Sequence, residues 1–99
     1  METQLRPVTR SLAKFCPGEI VATPNALAQI PHDEILHSLG HHVQGDWGQL
    51  DTEDLQSNER ALKQGGRLFS QYFSVQRIKF WIITEADRSV TTVLLPEDY

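Results

Sequence analysis

The chain has 99 residues, of which 39% are hydrophobic and 22% charged, and this composition predicts one globular domain and excludes a disordered protein. Its formal net charge of −4 weighs against a dedicated nucleic-acid-binding protein, although it leaves room for a local basic patch. No apolar run approaches the roughly 20 residues that span a membrane, and the N-terminus lacks a signal-peptide pattern. A single cysteine permits no internal disulfide, so we expect a cytoplasmic protein without membrane contact.

The first segment, residues 1–18, is polar and is interrupted by two prolines, which predicts a loosely ordered N-terminal arm. Residues 19–99 are expected to form a single α+β domain that begins with a short strand at residues 19–23. Thr23 is a suitable N-cap and Pro24 suits the first helical position, so a short helix is predicted next.

Two longer helices follow in the prediction. One begins near His32, carries apolar residues at helical spacing and ends before residues 44–45. The other covers roughly residues 51–64, with Asp51 as its cap and a pair of glycines directly after it.

The remaining sequence predicts three strands, at residues 67–73, 77–85 and 90–95, joined by turns at residues 74–76 and 86–89. The predicted fold class is therefore α+β: a short N-terminal strand, two to three helices, then a three-stranded antiparallel β-meander with the helices on one face. An uncovered edge of this meander would allow a second copy to pair with it, which makes a homodimer one predicted assembly.

Side-chain alternation sorts the meander into two faces. With Thr84 opposite Thr91, Tyr72 opposite Ile78 and Ser70 opposite Phe80, one face is mostly apolar and is assigned to the helices. The other face mixes aromatic and charged residues and has the composition of a surface that meets a partner. The alternative is cover by the N-terminal arm and first strand, with charges only at the rim. This second face comprises Arg67, Phe69, Gln71, Lys79, Trp81, Ile83, Glu85, Thr92 and Leu94.

Histidines are concentrated in the second predicted helix. His37 and His41 are four residues apart and share a face, as zinc ligands often do, but only Asp33 offers a third ligand nearby. We therefore expect a solvated histidine face, with no metal and no cofactor. His42 lies at the edge of the apolar stripe, where it could serve as a general acid or base or, as we favour, a structural partner for Asp46 or the helix end.

Metal-independent ribonucleases need a base, an acid and cations that bind the phosphate. His42 and Glu85 are the residue types for the first two roles, and Arg67, Lys79 and Arg88 for the third. The same residues are common at strand ends, where Glu85 and Arg88 would simply pair across a turn.

The segment Gly45-Asp46-Trp47-Gly48 is a predicted loop whose tryptophan either stacks on a nucleic-acid base or, as we favour, fills the core. Together with the charged face of the meander, this loop completes the set of candidate binding residues. That set comprises Asp46, Trp47, Trp81, Arg67, Lys79, Asp87 and Arg88.

Five segments resemble a family of small bacterial proteins labelled "plasmid-related protein", and the likeness covers about residues 19–99. They are residues 20–27, 42–48, 58–59, 66–72 and 81–99, the last with the sequence Trp-Ile-Ile-Thr-Glu-Ala-Asp-Arg-Ser-Val-Thr-Thr-Val-Leu-Leu-Pro-Glu-Asp-Tyr. The resemblance implies a bacterial setting linked to mobile elements and implies no particular activity. The order of helices followed by a meander is also similar to the topology of barnase/RelE-like ribonuclease toxins.

The leading prediction is a mobile-element-associated accessory or anti-defence protein without enzymatic activity, which acts by binding a protein partner. Its acidic charge and the lack of a specific catalytic motif favour this interpretation. The alternative is a metal-independent ribonuclease of barnase/RelE-like type, for which RNA would be the partner.

Overall fold

A computed structural model describes residues 13–99 of the chain. The described part contains four strands, three α-helices and one short 3-10 helix, and its class is α+β, as predicted. In chain order the elements are β1 (Glu19–Ala22), α1 (Pro24–Gln29), α2 (His32–Val43), α3 (Thr52–Gln64), β2 (Leu68–Phe73), β3 (Lys79–Thr84), β4 (Val90–Leu94) and the 3-10 helix Pro96–Asp98.

The helices begin where the capping residues predict. The Thr23 side chain accepts a hydrogen bond of 3.1 Å from the backbone nitrogen of Ala26, and Pro24 opens α1. Asp51 caps α3 in the same way, because its side chain accepts a hydrogen bond of 2.8 Å from the backbone nitrogen of Asp54.

The strands form one mixed sheet in the order β1-β4-β3-β2. β2, β3 and β4 are antiparallel neighbours, as the predicted meander requires. The predicted three-stranded sheet is nevertheless incomplete, because β1 pairs with β4 in parallel and adds a fourth strand. The backbone nitrogens of Glu19 and Thr23 donate to the carbonyls of Ser89 and Val93, at 3.0 and 2.9 Å, and fix this pairing at both ends.

The predicted register is correct between β3 and β4, where Thr84 pairs with Thr91. Between β2 and β3 it is wrong by two residues. Tyr72 pairs with Phe80 rather than with Ile78, and Ser70 with Ile82 rather than with Phe80. A shift of two residues keeps every side chain on its predicted face.

The cause of the shift is the turn after β2, which is longer than predicted. The Ser74 nitrogen donates to the Ile78 carbonyl at 2.9 Å, and Arg77 lies in this turn with a positive φ of 71°. Residues 77 and 78 therefore belong to the turn, and β3 begins only at Lys79.

The core lies between the three helices and one face of the sheet. Its larger cluster packs α1 and α2 on the sheet, and its smaller one packs α3 and the loop after α2 on β2. The buried members are Ala26, Ile30, Ile35, Leu39, Phe80, Ile82, Val93 and Leu95 in the first cluster, and Trp47, Ala61 and Leu68 in the second.

The predicted arm of residues 1–18 is described only from residue 13, and residues 1–12 lie outside the described part. Within it, the Lys14 nitrogen donates to the Val43 carbonyl at 2.7 Å, and the Pro17 carbonyl accepts 2.7 Å from the Thr91 hydroxyl. Phe15 packs against the smaller core cluster. Residues 14–17 are thus attached to the domain, whose packed part begins before the predicted boundary at residue 19.

The edges of the sheet differ in their cover. The loop after α2 lies along β2, where the Gln49 nitrogen donates to the Gln71 carbonyl at 2.7 Å and the Gln71 nitrogen to the Trp47 carbonyl at 3.1 Å. At the other edge, Ile20 and Val21 of β1 are 50% and 39% exposed.

Among residues 13–99, no helix has the length and apolar character to cross a membrane.

Candidate functional site

The face of the sheet that points away from the helices carries an aromatic cleft. Strand alternation places Phe69, Trp81 and Ile83 on this face, because their neighbours Leu68, Ser70, Phe80 and Ile82 are buried on the helix side. The cleft has a volume of about 320 Å³ and is lined by Arg67, Phe69, Trp81, Ile83 and Tyr99.

In the cleft, the Trp81 ring contacts the rings of Phe69 and Tyr99 edge to face. The centroid of the Trp81 ring lies 5.2 Å from that of Phe69 and 5.9 Å from that of Tyr99, with interplanar angles of 79° and 74°. The Trp81 indole nitrogen donates a hydrogen bond of 2.9 Å to the Gln71 side chain, which fixes the ring orientation. Ile83 is buried beneath, whereas Tyr99 is 72% exposed at the rim.

Tyr99 reaches the cleft because the C-terminal turn is tied to the start of α1. The Asp98 carboxylate accepts hydrogen bonds from the Thr23 hydroxyl, at 2.6 Å, and from the Asn25 amide, at 2.8 Å. It also accepts a hydrogen bond of 3.0 Å from the Leu95 backbone nitrogen, which closes the turn. The bond from Thr23, then that from Asn25, lowers the pKa of Asp98 below its ordinary value.

Arg67 is held at the rim by two partners. Its Nη1 donates 2.7 Å to the Tyr99 hydroxyl, and its Nε and Nη2 donate to the two Glu85 oxygens at 3.3 Å each. These bonds, that to Tyr99 first, raise the pKa of Arg67. The Arg67 and Glu85 side chains are 49% and 38% exposed, so their ion pair orients the guanidinium more than it stabilises the fold.

Two other predicted binding residues of the hairpin region lie outside the cleft. The Lys79 ammonium is 5.8 Å from the centre of the Phe73 ring. The Asp87 carboxylate accepts 2.6 Å from the Ser89 hydroxyl and 3.0 Å from its nitrogen, and these bonds lower the pKa of Asp87.

His42 and Trp47, by contrast, belong to the interior. His42 is fully buried between Ser70, at 2.6 Å from its Nδ1, and Thr84, at 2.9 Å from its Nε2. Trp47 is 3% exposed and donates 3.0 Å from its indole nitrogen to Glu59. Its neighbour Asp46 is exposed and accepts 2.8 Å from His41 Nδ1, so the loop presents Asp46 but not the tryptophan.

Arg88 has a structural position beneath the last hairpin. Its guanidinium donates to four backbone carbonyls at 2.6–3.2 Å, those of Gly66, Ala61, Glu85 and Ala86. These acceptors occupy both terminal nitrogens, so Arg88 joins the end of α3 to the hairpin turn.

The predicted ribonuclease residues therefore do not form one exposed cluster. Arg67 and Glu85 are together at the rim of the cleft, while His42 lies in the core and Arg88 binds backbone carbonyls. A phosphodiester at the rim would meet neither the imidazole nor the Arg88 guanidinium.

Sequence reasoning missed Tyr99, the residue that closes the cleft. The strand predicted at residues 90–95 ends before Pro96, and because proline also suits the first position of a helical turn, Pro96 opens the 3-10 helix here. The run Pro-Glu-Asp-Tyr was the available signal that the chain turns back towards the sheet.

Within residues 13–99, no group of three or more His, Cys, Asp or Glu side chains is arranged to hold a metal ion.

Comparison of the chain with protein-family models, curated proteins and solved structures finds no match. The likenesses to plasmid-related proteins and to barnase/RelE-like toxins therefore stay predictions.

Proposed function

We propose that this chain is an accessory protein without enzymatic activity that binds another protein through the aromatic cleft. The observation that carries the proposal is the cleft itself, with a buried aliphatic floor, aromatic walls and an oriented Arg67 at its rim. Tryptophan, tyrosine and arginine are the residues most enriched among binding hot spots in protein interfaces. Their convergence on one face supports a protein partner.

The partner that fits is a protein segment that presents an apolar side chain beside a carboxylate. A volume of about 320 Å³ is near the lower limit of small-molecule pockets, and it favours an inserted side chain over a cofactor. The Arg67 guanidinium is half exposed and can bind a second carboxylate from the partner. The chain's acidic charge also favours a protein over RNA.

The resemblance to plasmid-related proteins supports the biological setting of this proposal. In that setting the chain acts in the bacterial cytoplasm, in association with mobile elements, and its partner is a protein of host defence.

A binding experiment with cleft variants tests the proposal. Wild type, Trp81→Ala, Arg67→Ala and the control Leu55→Ala are used to capture proteins from a bacterial host, and the captured protein is then purified and titrated. Leu55 is a suitable control because it is exposed on α3, away from the cleft. We expect the affinity to fall at least tenfold in both cleft variants and to be unchanged in the control.

Two results would contradict the proposal. One is equal affinity of the purified partner for wild type and for both cleft variants. The other is cleavage of labelled RNA by wild type in EDTA that is lost in Glu85→Ala, which would favour the ribonuclease alternative.

The predicted homodimer would use a different surface, the outer edge of the sheet at β1, where Ile20 and Val21 are exposed. Sedimentation of wild type and of Ile20→Lys tests it, because a lysine on an edge strand opposes pairing with a second copy.

A further inference from the structure

Two histidines of α2, of which His37 is exposed and His41 half-buried, are held in an arrangement that the aromatic cleft does not involve. His37 and His41 lie one turn apart, and their Nε2 atoms are 3.1 Å from each other. Their ring centroids are 4.6 Å apart, with an interplanar angle of 75°. α2 packs on the sheet face that carries Phe80 and Ile82, which is the face opposite to Trp81.

Asp46 determines which nitrogen of His41 carries the lone pair. Its Oδ2 lies 2.8 Å from His41 Nδ1, and because an ionised carboxylate only accepts, that nitrogen carries the proton. In neutral His41 the lone pair is therefore on Nε2 and points towards His37, which donates its own Nε2 proton to it. A carboxylate bonded to one imidazole nitrogen while the other is free is the arrangement that commonly supports a metal-binding histidine.

We propose that His37 and His41 bind one divalent transition-metal ion, of the Zn²⁺ class, through their two Nε2 atoms. Two Zn–N bonds of about 2.05 Å at a tetrahedral angle separate the nitrogens by roughly 3.3 Å, close to the 3.1 Å observed. On binding, His37 exchanges its Nε2 proton for one on Nδ1, so the imidazole stays neutral. Imidazole ligands favour zinc, copper and nickel over magnesium and calcium.

The remaining coordination positions are filled by water. No third side-chain ligand completes the site within residues 13–99, but the two histidines line a cleft of about 340 Å³ together with Asp46, Gln49 and Tyr72. This space leaves the outer side of the ion open to solvent or to a small ligand.

Titration of the full chain with Zn²⁺ tests the site by calorimetry and by the histidine side-chain NMR signals. A Cys16→Ser background removes the exposed free thiol as a competing ligand. We expect one Zn²⁺ per chain, with loss of binding in His37→Ala and in His41→Ala. Asp46→Asn should weaken binding roughly 10- to 100-fold through the orientation of His41, and Mg²⁺ should not bind.

His32→Ala is the matched control, because His32 is an exposed histidine of the same helix outside the pair. It should leave the affinity unchanged. Circular dichroism of each metal-free variant verifies that the fold is intact. Absence of Zn²⁺ binding by folded wild type, or equal binding by His37→Ala and wild type, would overturn the proposal, and neither result would bear on the aromatic cleft.

Discussion

At the scale of single residues, His42 organises a directed chain of hydrogen bonds across the core. The Thr91 hydroxyl donates to the Pro17 carbonyl, so it accepts from Thr84 at 2.7 Å. Thr84 in turn accepts from His42 Nε2, which leaves Nδ1 to accept from Ser70. The imidazole is therefore neutral, and burial lowers the pKa of His42 to about 4.

The first prediction concerns the removal of this ring. His42→Ala leaves a cavity and unpaired hydroxyls, and we expect a loss of about 3 kcal/mol in the free energy of unfolding. His32→Ala, at an exposed position of the same helix, should change it by less than about 0.5 kcal/mol. Urea unfolding measures both, and equal effects would contradict the structural role.

The first prediction extends to pH, because the same buried residue should make the free energy of unfolding depend on it. Its pKa of about 4 in the folded chain lies below the unfolded value near 6.5, so between these values the unfolded state binds more protons. The stability from His42 is full above about pH 6.5 and decreases as pH falls to about 4, by roughly 3 kcal/mol. In His42→Gln this part of the pH dependence should disappear from urea unfolding measured at several pH values.

Two arginines share an uncommon backbone conformation but differ in what their side chains do. Arg77 and Arg88 have positive φ angles of 71° and 63°, a conformation that is unfavourable for most residues other than glycine. Arg88 donates to four carbonyls, whereas Arg77 is exposed in its turn.

The second prediction follows from this difference. Arg77→Gly should raise the free energy of unfolding by about 0.5 kcal/mol through relief of strain. Arg88→Gly should lower it by about 2 kcal/mol, because the charged donors are lost from the Gly66 and Ala61 carbonyls. Thermal unfolding of both proteins checks the opposite signs, and a loss of stability in both variants would contradict the argument.

At the scale of elements, the cover of the β2 edge depends on one close approach. A Cβ on Gly48, whose φ is 78°, would overlap the Gln71 carbonyl oxygen. A Cβ on Gly40 in α2 would meet no other atom of the described residues within 4 Å, apart from its chain neighbours and the backbone of its own helix.

The third prediction compares these two glycines. Gly48→Ala should cost more than about 2 kcal/mol, because the loop has to leave β2. Gly40→Ala should instead stabilise the protein by about 0.5–1 kcal/mol through helix propensity. Amide hydrogen exchange at Gln71 is the decisive measurement, and unchanged protection there in Gly48→Ala would show that the approach is not required.

Elements were predictable where local chemistry determines them. The caps Thr23 and Asp51 and the alternation along β3 are local signals, and the corresponding elements and faces were correctly predicted. The β2–β3 register was wrong because turn length depends on backbone angles such as that of Arg77. The parallel pairing of β1 joins residues about 70 positions apart, and a short strand alone does not specify such a partner.

At the scale of the whole molecule, the cleft combines what the sequence predicts locally with what only the fold brings together. Alternation was sufficient to assign Trp81 and Arg67 to one face, and their charges and rings marked it as a candidate surface. A structural role was favoured for His42, but its partners and those of Arg88 could not be identified, because polar residue types do not reveal whether their partners lie inside the protein. Tyr99 depends on contacts with the opposite end of the domain, through Asp98 and Thr23.

The fourth prediction concerns this long-range tie. Asp98→Ala removes the acceptor for Thr23, Asn25 and Leu95, so the C-terminal turn should detach and Tyr99 should leave Trp81. We expect nuclear Overhauser contacts between the two rings to disappear and the affinity for the protein partner to fall about tenfold, since each order of magnitude needs only about 1.4 kcal/mol of lost contact.

Asp87→Ala is the matched control for this change, because it removes the same charge from a turn in which the carboxylate bonds to the neighbouring Ser89. It should preserve both the ring contacts and the affinity. Should Asp98→Ala bind the partner as tightly as wild type while its ring contacts are lost, the cleft would not need Tyr99. The binding surface would then consist of Arg67, Phe69, Trp81 and Ile83 on the sheet alone.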